Sequence, residues 1–302
     1  MSLLVVGSVA FDSVKTPFGE AHEVLGGSAT YFSVAASYFT DVLLVAVVGE
    51  DFDHKTADVF KNRPIDIRGL QTMPGKTFRW RGEYSFDLNE ARTLETCLNV
   101  LADFKPQLPA DYCDCDIVFL ANIDPELQSY VLDQVKKPRL VACDTMNFWI
   151  ENRLEALKTT LKRIDLLVIN EGEARELAKE PNLVKAANKI MAMGPSSLII
   201  KRGEYGALMF SAAGIFAVPG FPLEFVFDPT GAGDSFAGGL MGHLSRSQVH
   251  NDEVIRQAMI FASVMASYNV ESFSLDRLRN LTYADIESRF AEFKKLTHFE
   301  TL

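Results

Sequence analysis

The chain has 302 residues, 48% hydrophobic and 23% charged, with 40 acidic residues against 30 basic ones and a formal net charge of −10. That balance argues against nucleic acid as a partner, since such a surface needs clustered Lys and Arg to displace counterions; a chain this long also buries a core without disulfide or metal staples. No apolar run approaches the ~18 residues of a membrane span, and MSLLVVGSVAFD has neither the basic start nor the cleavage site of a signal peptide.

Apolar, β-branched runs bounded by polar residues or Gly recur at Leu3–Val6, Val42–Val48, Ile117–Leu120, Leu140–Ala142, Leu166–Ile169 and Leu198–Ile200. Most are apolar on both faces, as buried parallel strands are. Amphipathic stretches long enough for helices separate them, at Ala29–Phe39, Glu126–Val135, Arg153–Leu161, Glu173–Lys179 and Leu183–Met193. Strand alternating with helix predicts βαβ units and a layered α/β fold. The last third reads as helical at Asp234–Leu244, Asp252–Tyr268 and Tyr283–Leu296.

Two stretches break the rhythm, about 11–24 and 72–88. In the second, Phe78, Trp80 and Tyr84 alternate with Arg79, Arg81 and Glu83. A period of two predicts a half-exposed antiparallel strand, and such strands inserted early in an α/β chain suit a small lid. With no repeat and no long linker, one domain over 1–302 carrying these lid segments is expected. The four cysteines, Cys97, Cys113, Cys115 and Cys143, lack the second Cys pair or His cluster of a metal site. Reduced thiols without an export signal point to the cytoplasm.

The stretch DPTGAGDSFAGG, from Asp228 to Gly239, follows an apolar run and opens a helical pattern. Gly231 and Gly233 permit a tight turn and close approach of a ligand. Unpaired amides at a helix N-terminus attract anions, phosphate above all. A carboxylate at Asp234 is repelled by such an anion, so it needs a second reason to be there, and general-base catalysis supplies one; the plainer alternative is a helix cap after an ordinary turn. A dinucleotide fingerprint fails, because its third glycine position holds Phe236. A phosphate-binding loop of the G-x-x-x-x-G-K-T type fails at Gly69, because Gly75-Lys76-Thr77 comes one residue late.

The whole segment resembles the second signature of the ribokinase (pfkB) family of carbohydrate and nucleoside kinases, and further stretches resemble the family in the same order. They are Gly7–Asp12 after the first strand, Gly26–Ala36 with its Gly pair, Val48–Asp51 as a G-x-D turn, Asn170–Glu173 as N-x-x-E, and Lys201–Gly206. The resemblance implies a ribokinase-like three-layer αβα sandwich with a mostly parallel central sheet and a small β-lid. It implies an ATP- and Mg²⁺-dependent kinase acting on a hydroxyl. Asp234 would be the general base, held ionised by its helix end, and Gly231, Ala232 and Gly233 would form an anion hole. Asn170 and Glu173 would hold Mg²⁺ through water; the alternative for them is a helix cap and a first-turn acid. Lys201, Gly203, Gly206 and Thr230 would lie on the nucleotide side, and Asp228 would shape the loop.

Asp12, Gly26 and Gly27 would meet the acceptor. Tyr31 stands where several sugar-phosphorylating members carry Asn, and it suits either stacking on a base or sugar or a place in the core. Arg79 and Arg81 share a strand face and suit a phosphate on the acceptor or a solvated edge. A sugar or polyol is the first expected acceptor and a nucleoside the second; a non-catalytic sensor is a further alternative. Lids in this family often pair, so a homodimer through the lid is also expected.

Overall fold

In the computed structural model, which describes residues 2–298 and 300, the apolar runs assemble side by side. The strands are β1 (Ser2–Val6), β2 (Ala10–Thr16), β3 (Gly19–Gly26), β4 (Asp41–Gly49), β5 (Ile65–Met73), β6 (Phe78–Tyr84), β7 (Ala91–Cys97), β8 (Ile117–Leu120), β9 (Leu140–Cys143), β10 (Leu166–Asn170), β11 (Ser197–Lys201), β12 (Ala207–Ser211) and β13 (Gly214–Val218). Nine form one sheet in the order β13-β12-β11-β10-β9-β8-β1-β4-β5. Every neighbouring pair from β11 to β5 is parallel, and the two pairs at the other edge, β11–β12 and β12–β13, are antiparallel.

The helices are α1 (Ser28–Ala36), α2 (Asp58–Lys61), α3 (Pro125–Gln134), α4 (Asn147–Asn152), α5 (Leu154–Leu161), α6 (Glu171–Ala178), α7 (Leu183–Met191), α8 (Ala232–Leu244), α9 (Asp252–Asn269) and α10 (Tyr283–Leu296). They cover both faces of the sheet. Leu3 and Val5 of β1 join a core with residues of α1, α8, α9 and α10, while Leu4 and Val6 join a second core with residues of α3, α5, α6 and α7. Alternation along one buried strand thus feeds two hydrophobic layers, and the three-layer fold with a mostly parallel sheet is the one expected. No helix of the described residues is long and apolar enough to cross a membrane. Among them, too, no cluster of metal-ligating side chains forms around the free cysteines or elsewhere.

A second sheet of four strands, in the order β3-β2-β6-β7, takes in the two segments expected to form a lid. Here the structure corrects two details. Thr72 and Met73 belong to β5 of the main sheet, and β6 runs parallel to β2 while pairing antiparallel only with β7. The lid is anchored at its base by Asp51. Its Oδ1 accepts hydrogen bonds from Thr77 N (2.8 Å) and Thr77 Oγ1 (2.6 Å), and its Oδ2 lies 2.8 Å from Arg79 Nη1. Thr77 Oγ1 also accepts from Gly49 N at 3.0 Å, which ties lid and sheet at one buried threonine.

Candidate functional site

The carboxyl ends of the parallel strands carry the polar residues, which is where open α/β sheets present ligand sites. Asn170 ends β10 and Lys201 ends β11, side by side in register. Asp144 follows β9 and is buried, and its Oδ2 lies 3.0 Å from Lys201 Nζ. The sequence reading passed over Asp144, although its position, one polar residue past an apolar strand, matches that of Asn170. Asn170 Oδ1 accepts from Glu173 N and Glu173 Oε2 accepts from Asn170 N, both at 2.8 Å. This is a full capping box at the start of α6, so the capping role read as an alternative is present.

Above these ends, the segment 228–231 turns into α8. Asp228 accepts from Thr230 N at 2.9 Å and from Ser274 N at 3.2 Å. Asn269 donates to Thr230 O at 2.8 Å and accepts from Ser235 Oγ at 3.0 Å. Gly231 is the N-cap, with φ 75° and ψ 0°. A Cβ there would lie 2.4 Å from the Tyr31 ring, so only glycine fits between the ring and the helix end. Ala232 N already donates to Pro229 O at 3.0 Å. The structure therefore engages one of the three amides expected to face an anion, which leaves those of Gly231 and Gly233 at the helix end.

Asp234 lies in the first turn of α8, half-buried. Burial pushes its carboxyl up to about 7; Asp144 pushes the same way and Lys201 opposes. The helix end, expected to hold it ionised, is thus opposed by loss of solvent. Burial likewise raises Glu173 to about 8, with Asp144 adding and Lys201 opposing. For Lys201, burial works against the charged form, but Asp144, Glu173 and Asp234 outweigh it and raise the ammonium. One lysine thus sits among three carboxyl groups, and its Nζ is 3.0 Å from where a Cβ on Gly233 would stand.

Asp12, expected to meet the acceptor, is buried and its carboxyl is pushed up to about 7. Burial is the main cause, the Gly27 amide lowers it by a hydrogen bond, and Asp228 and Asp234 raise it further. A Cβ on Gly26 would fall 1.9 Å from Asp12 Oδ2, and one on Gly27 (φ 94°) would fall 2.6 Å from Ser8 O. Both glycines are required by close approach, and Gly27 also begins α1. Tyr31 is fully buried under Gly231. Its ring is closed off, so it has no face to stack on a ligand.

The smaller sheet sets aromatic residues on the strand face that carries Asp12. Asp12 pairs with Trp80 across β2 and β6, whereas Phe11 pairs with Arg79 and Ser13 with Arg81. Asp12, Trp80 and Tyr84 therefore share one face, and Arg79 and Arg81 share the opposite one. Arg79 is bound by Glu23 (2.7 Å) and Asp51 (2.8 Å), and Arg81 is exposed. These two arginines are not brought to the acceptor pocket, which corrects that reading. The periodicity was visible in the sequence; the sign of the faces was set by the register with β2.

Tyr84 accepts from Thr230 Oγ1 at 3.3 Å, and burial raises its phenol. Asn89, in the β6–β7 turn, bonds Glu204 and packs on Gly203, where a Cβ would fall 2.1 Å from Asn89 Oδ1. Gly206 (φ 85°) closes the β11–β12 turn, which no side chain fits because Val218 O is 2.0 Å from its Cβ position. The lid thus touches both the glycine-rich turn and the expected nucleotide-side turn.

A mostly parallel α/β sandwich, with a lid over carboxylates at a glycine-lined helix end, defines a class of small-molecule phosphotransferases. The chain belongs to the pfkB family of carbohydrate kinases, whose profile matches residues 3–278. It is 28% identical over 253 residues to a cytidine kinase of Thermococcus kodakarensis, covering 82% of this chain and 90% of that protein. Its fold is similar to that of a Burkholderia thailandensis nucleoside kinase in complex with inosine (TM-score 0.77, 18% identity, covering 96% of this chain and 97% of that one). It is similar also to that of an E. coli protein described as a putative ribokinase II in complex with ATP and Mg²⁺ (TM-score 0.79, 18% identity, 96% and 99%). The chain is accordingly a phosphotransferase of the ribokinase-like fold, in a family of ATP-using kinases.

Proposed function

We propose that the protein transfers the γ-phosphoryl group of ATP to a sugar hydroxyl of a nucleoside, with Asp234 as the general base. The observation that carries this reading is the nearness of Asp12 to Asp234, whose charge raises the Asp12 carboxyl, beside a sheet face bearing Trp80 and Tyr84. Carboxylates accept from ring hydroxyls, and aromatic side chains suit a flat base. The relative reported above at 28% identity is a cytidine kinase, which favours the same acceptor class. A free sugar or polyol is the second reading, favoured by the two carboxyls alone.

Asp12 would orient the acceptor hydroxyls while Asp234 takes the proton of the attacking one, which requires Asp234 in its ionised form. Gly231 and Gly233 amides would hold the transferring group by charge and geometry. The lid would exclude water, the competing nucleophile. Lys201, with Thr230, Gly203 and Gly206 nearby, would face the nucleotide phosphates.

Mg²⁺ fits the residues present. Glu173 spends only Oε2 on its capping box, and the neighbouring carboxyls of Asp144 and Asp234 make the region acidic. Oxygen donors that act through water suit a cation that keeps its hydration shell. Bound there, it would neutralise phosphate charge. The outer lid face, with Phe11, Ser13, Arg79 and Arg81 around a hollow of about 250 Å³, is the face that would pair in a homodimer, and sedimentation of wild type against Arg81→Glu tests it.

The experiment for the main reading is ADP release from MgATP over pooled nucleosides, pentoses, hexoses, inositols and sugar phosphates, with wild type and Asp234→Asn. A nucleoside pool that responds with wild type alone supports the reading. Response only to free sugars moves the acceptor to the second reading, and equal turnover by the Asn variant removes Asp234 as base.

A further inference from the structure

The hairpin of β6 and β7 ends in a turn that meets two distant segments of the main body. Tyr84 accepts from Thr230 Oγ1 at 3.3 Å. Asn89 meets the turn after β11: its Nδ2 donates to Glu204 Oε1 and its Oδ1 accepts from Glu204 N, both at 3.4 Å. The two partners are 115 residues apart in the chain.

Both sides of the Asn89 contact are shaped for it. A Cβ on Gly203 (φ 55°) would stand 2.1 Å from Asn89 Oδ1, so glycine alone leaves the amide room. In the hairpin, Leu88 takes φ 54°, a left-handed conformation that a residue with a side chain adopts at a cost. Asp87 braces it, its Oδ1 accepting from Ser85 Oγ at 3.0 Å and from Asn89 N at 3.4 Å. The turn after β11 is backed closely: a Cβ on Gly206 would lie 2.0 Å from Val218 O, and one on Gly220 2.1 Å from Glu204 O. That turn has no room to retreat, whereas nearly all of β7 is exposed, so the hairpin is the side free to move.

Asn89, Gly203 and Glu204 are exposed, and a contact between exposed polar residues adds little to the stability of the fold. Bonds of 3.4 Å are long for an amide donor, which suits a contact that opens and re-forms. What it joins is the strand face of Asp12, through β6, to the carboxyl end of β11, where Lys201 stands. A ligand that fixes one of these ends lowers the cost of ordering the other.

Resting on the kinase reading, we propose that Asn89 latches the β6–β7 hairpin to the nucleotide-side turn, so that acceptor and nucleoside triphosphate bind cooperatively. Asn89 is a positioning residue: it acts through Gly203 and Glu204 rather than on a reacting atom.

The test is calorimetry of MgAMP-PNP, an ATP analogue that is not hydrolysed, with and without saturating cytidine, inosine or fructose, whichever wild type phosphorylates. In wild type the acceptor should tighten MgAMP-PNP about 5-fold or more, the lower end of usual coupling between two sites. Asn89→Ala should reduce that factor to below about 2-fold, with the ligand-free melting temperature within about 2 °C of wild type. Asn89→Asp still accepts from Glu204 N but sets a carboxylate against that of Glu204, so it should lose the coupling too. Adding Glu204→Gln gives that carboxylate a donor and should restore most of the factor.

The proposal is overturned if acceptor leaves the nucleotide affinity of wild type unchanged, or if Asn89→Ala keeps the wild-type factor. It is equally overturned if Asn89→Ala lowers the melting temperature and weakens each ligand alone, as a purely structural role produces. If wild type phosphorylates none of the probes, the kinase reading fails separately. Hydrogen exchange at 85–90 then reads the latch: slowing by MgAMP-PNP in wild type but not in Asn89→Ala supports it, and any other pattern refutes it.

Discussion

Gly231→Ala tests the glycine turn directly, and its cost can be worked from the geometry. At φ 75°, a residue with a Cβ incurs about 1–2 kcal/mol of backbone strain. The new methyl would stand 2.4 Å from Cγ and Cδ2 of Tyr31, a ring with no room to move, and forcing an extra carbon into closed packing costs typically about 1–3 kcal/mol. The total of roughly 2–5 kcal/mol corresponds, at about 2–4 °C per kcal/mol, to a fall of roughly 4–20 °C in melting temperature. Displacing the helix end should lower kcat by roughly 10²–10³-fold, the scale of losing a preorganised donor.

The control is Gly214→Ala, in the β12–β13 edge hairpin. It also has positive φ (121°), but nothing lies within 4 Å of its Cβ position. It should incur the strain alone, about 1–2 kcal/mol, and keep full turnover. Scanning fluorimetry and coupled ADP release at saturating substrates read both variants. Gly231→Ala with kcat within about twofold of wild type would refute the role of this helix end in holding the transferring group. Equal losses of melting temperature in the two variants would show that the Tyr31 ring yields.

Further expectations concern the charged groups and the lid. Because Asp234 must be ionised to accept a proton and is raised to about 7, kcat/KM should climb as pH rises through about 7; a flat profile from pH 6 to 8 refutes this. Asp12 is raised from 3.8 to about 7, so the fold favours its protonated form, and its contribution to stability is lost as pH rises from 3.8 to about 7. Asp12→Asn should therefore stabilise the ligand-free protein at pH 8, by at most about 4 kcal/mol, and little at pH 4, while acceptor phosphorylation is lost. Lys201→Met leaves Asp144 buried without its partner and should cost about 3–5 kcal/mol in urea unfolding, partly recovered in the double variant with Asp144→Asn. Glu173→Gln keeps an oxygen for the capping box, so it should retain the fold while raising the Mg²⁺ concentration needed for half-maximal rate. Thr77→Val removes the buried link between lid and sheet; the acceptor KM should rise, and ATP hydrolysis without acceptor should increase as water enters.

The main-sheet strands that are apolar on both faces were legible residue by residue, because burial on both sides leaves no polar position to blur them. β5 was not. Its Asp66 and Arg68 satisfy each other at the surface, which erases an apolar run. β7 was missed for the same kind of reason, since nearly all its residues are exposed. β12 and β13 lie at the sheet edge, where one-sided burial weakens the pattern.

Local chemistry was therefore readable wherever the chain itself carries the constraint: the glycine turn at Gly231, the Asn170–Glu173 capping box, the Gly26–Gly27 start of α1. These depend on neighbours in sequence, and a spacing records them. The tertiary structure decided what depends on distant segments meeting. Asp144 reaches Lys201 across 57 residues, and no local pattern marks such a pair. The register of β6 on β2 put Trp80 and Tyr84 on the face of Asp12 and Arg79 and Arg81 on the other, and in a strand of period two a single residue's shift reverses that choice. Tyr31 became the floor of a helix 200 residues later because Gly231 leaves room for its ring, a fit that exists only once both are folded.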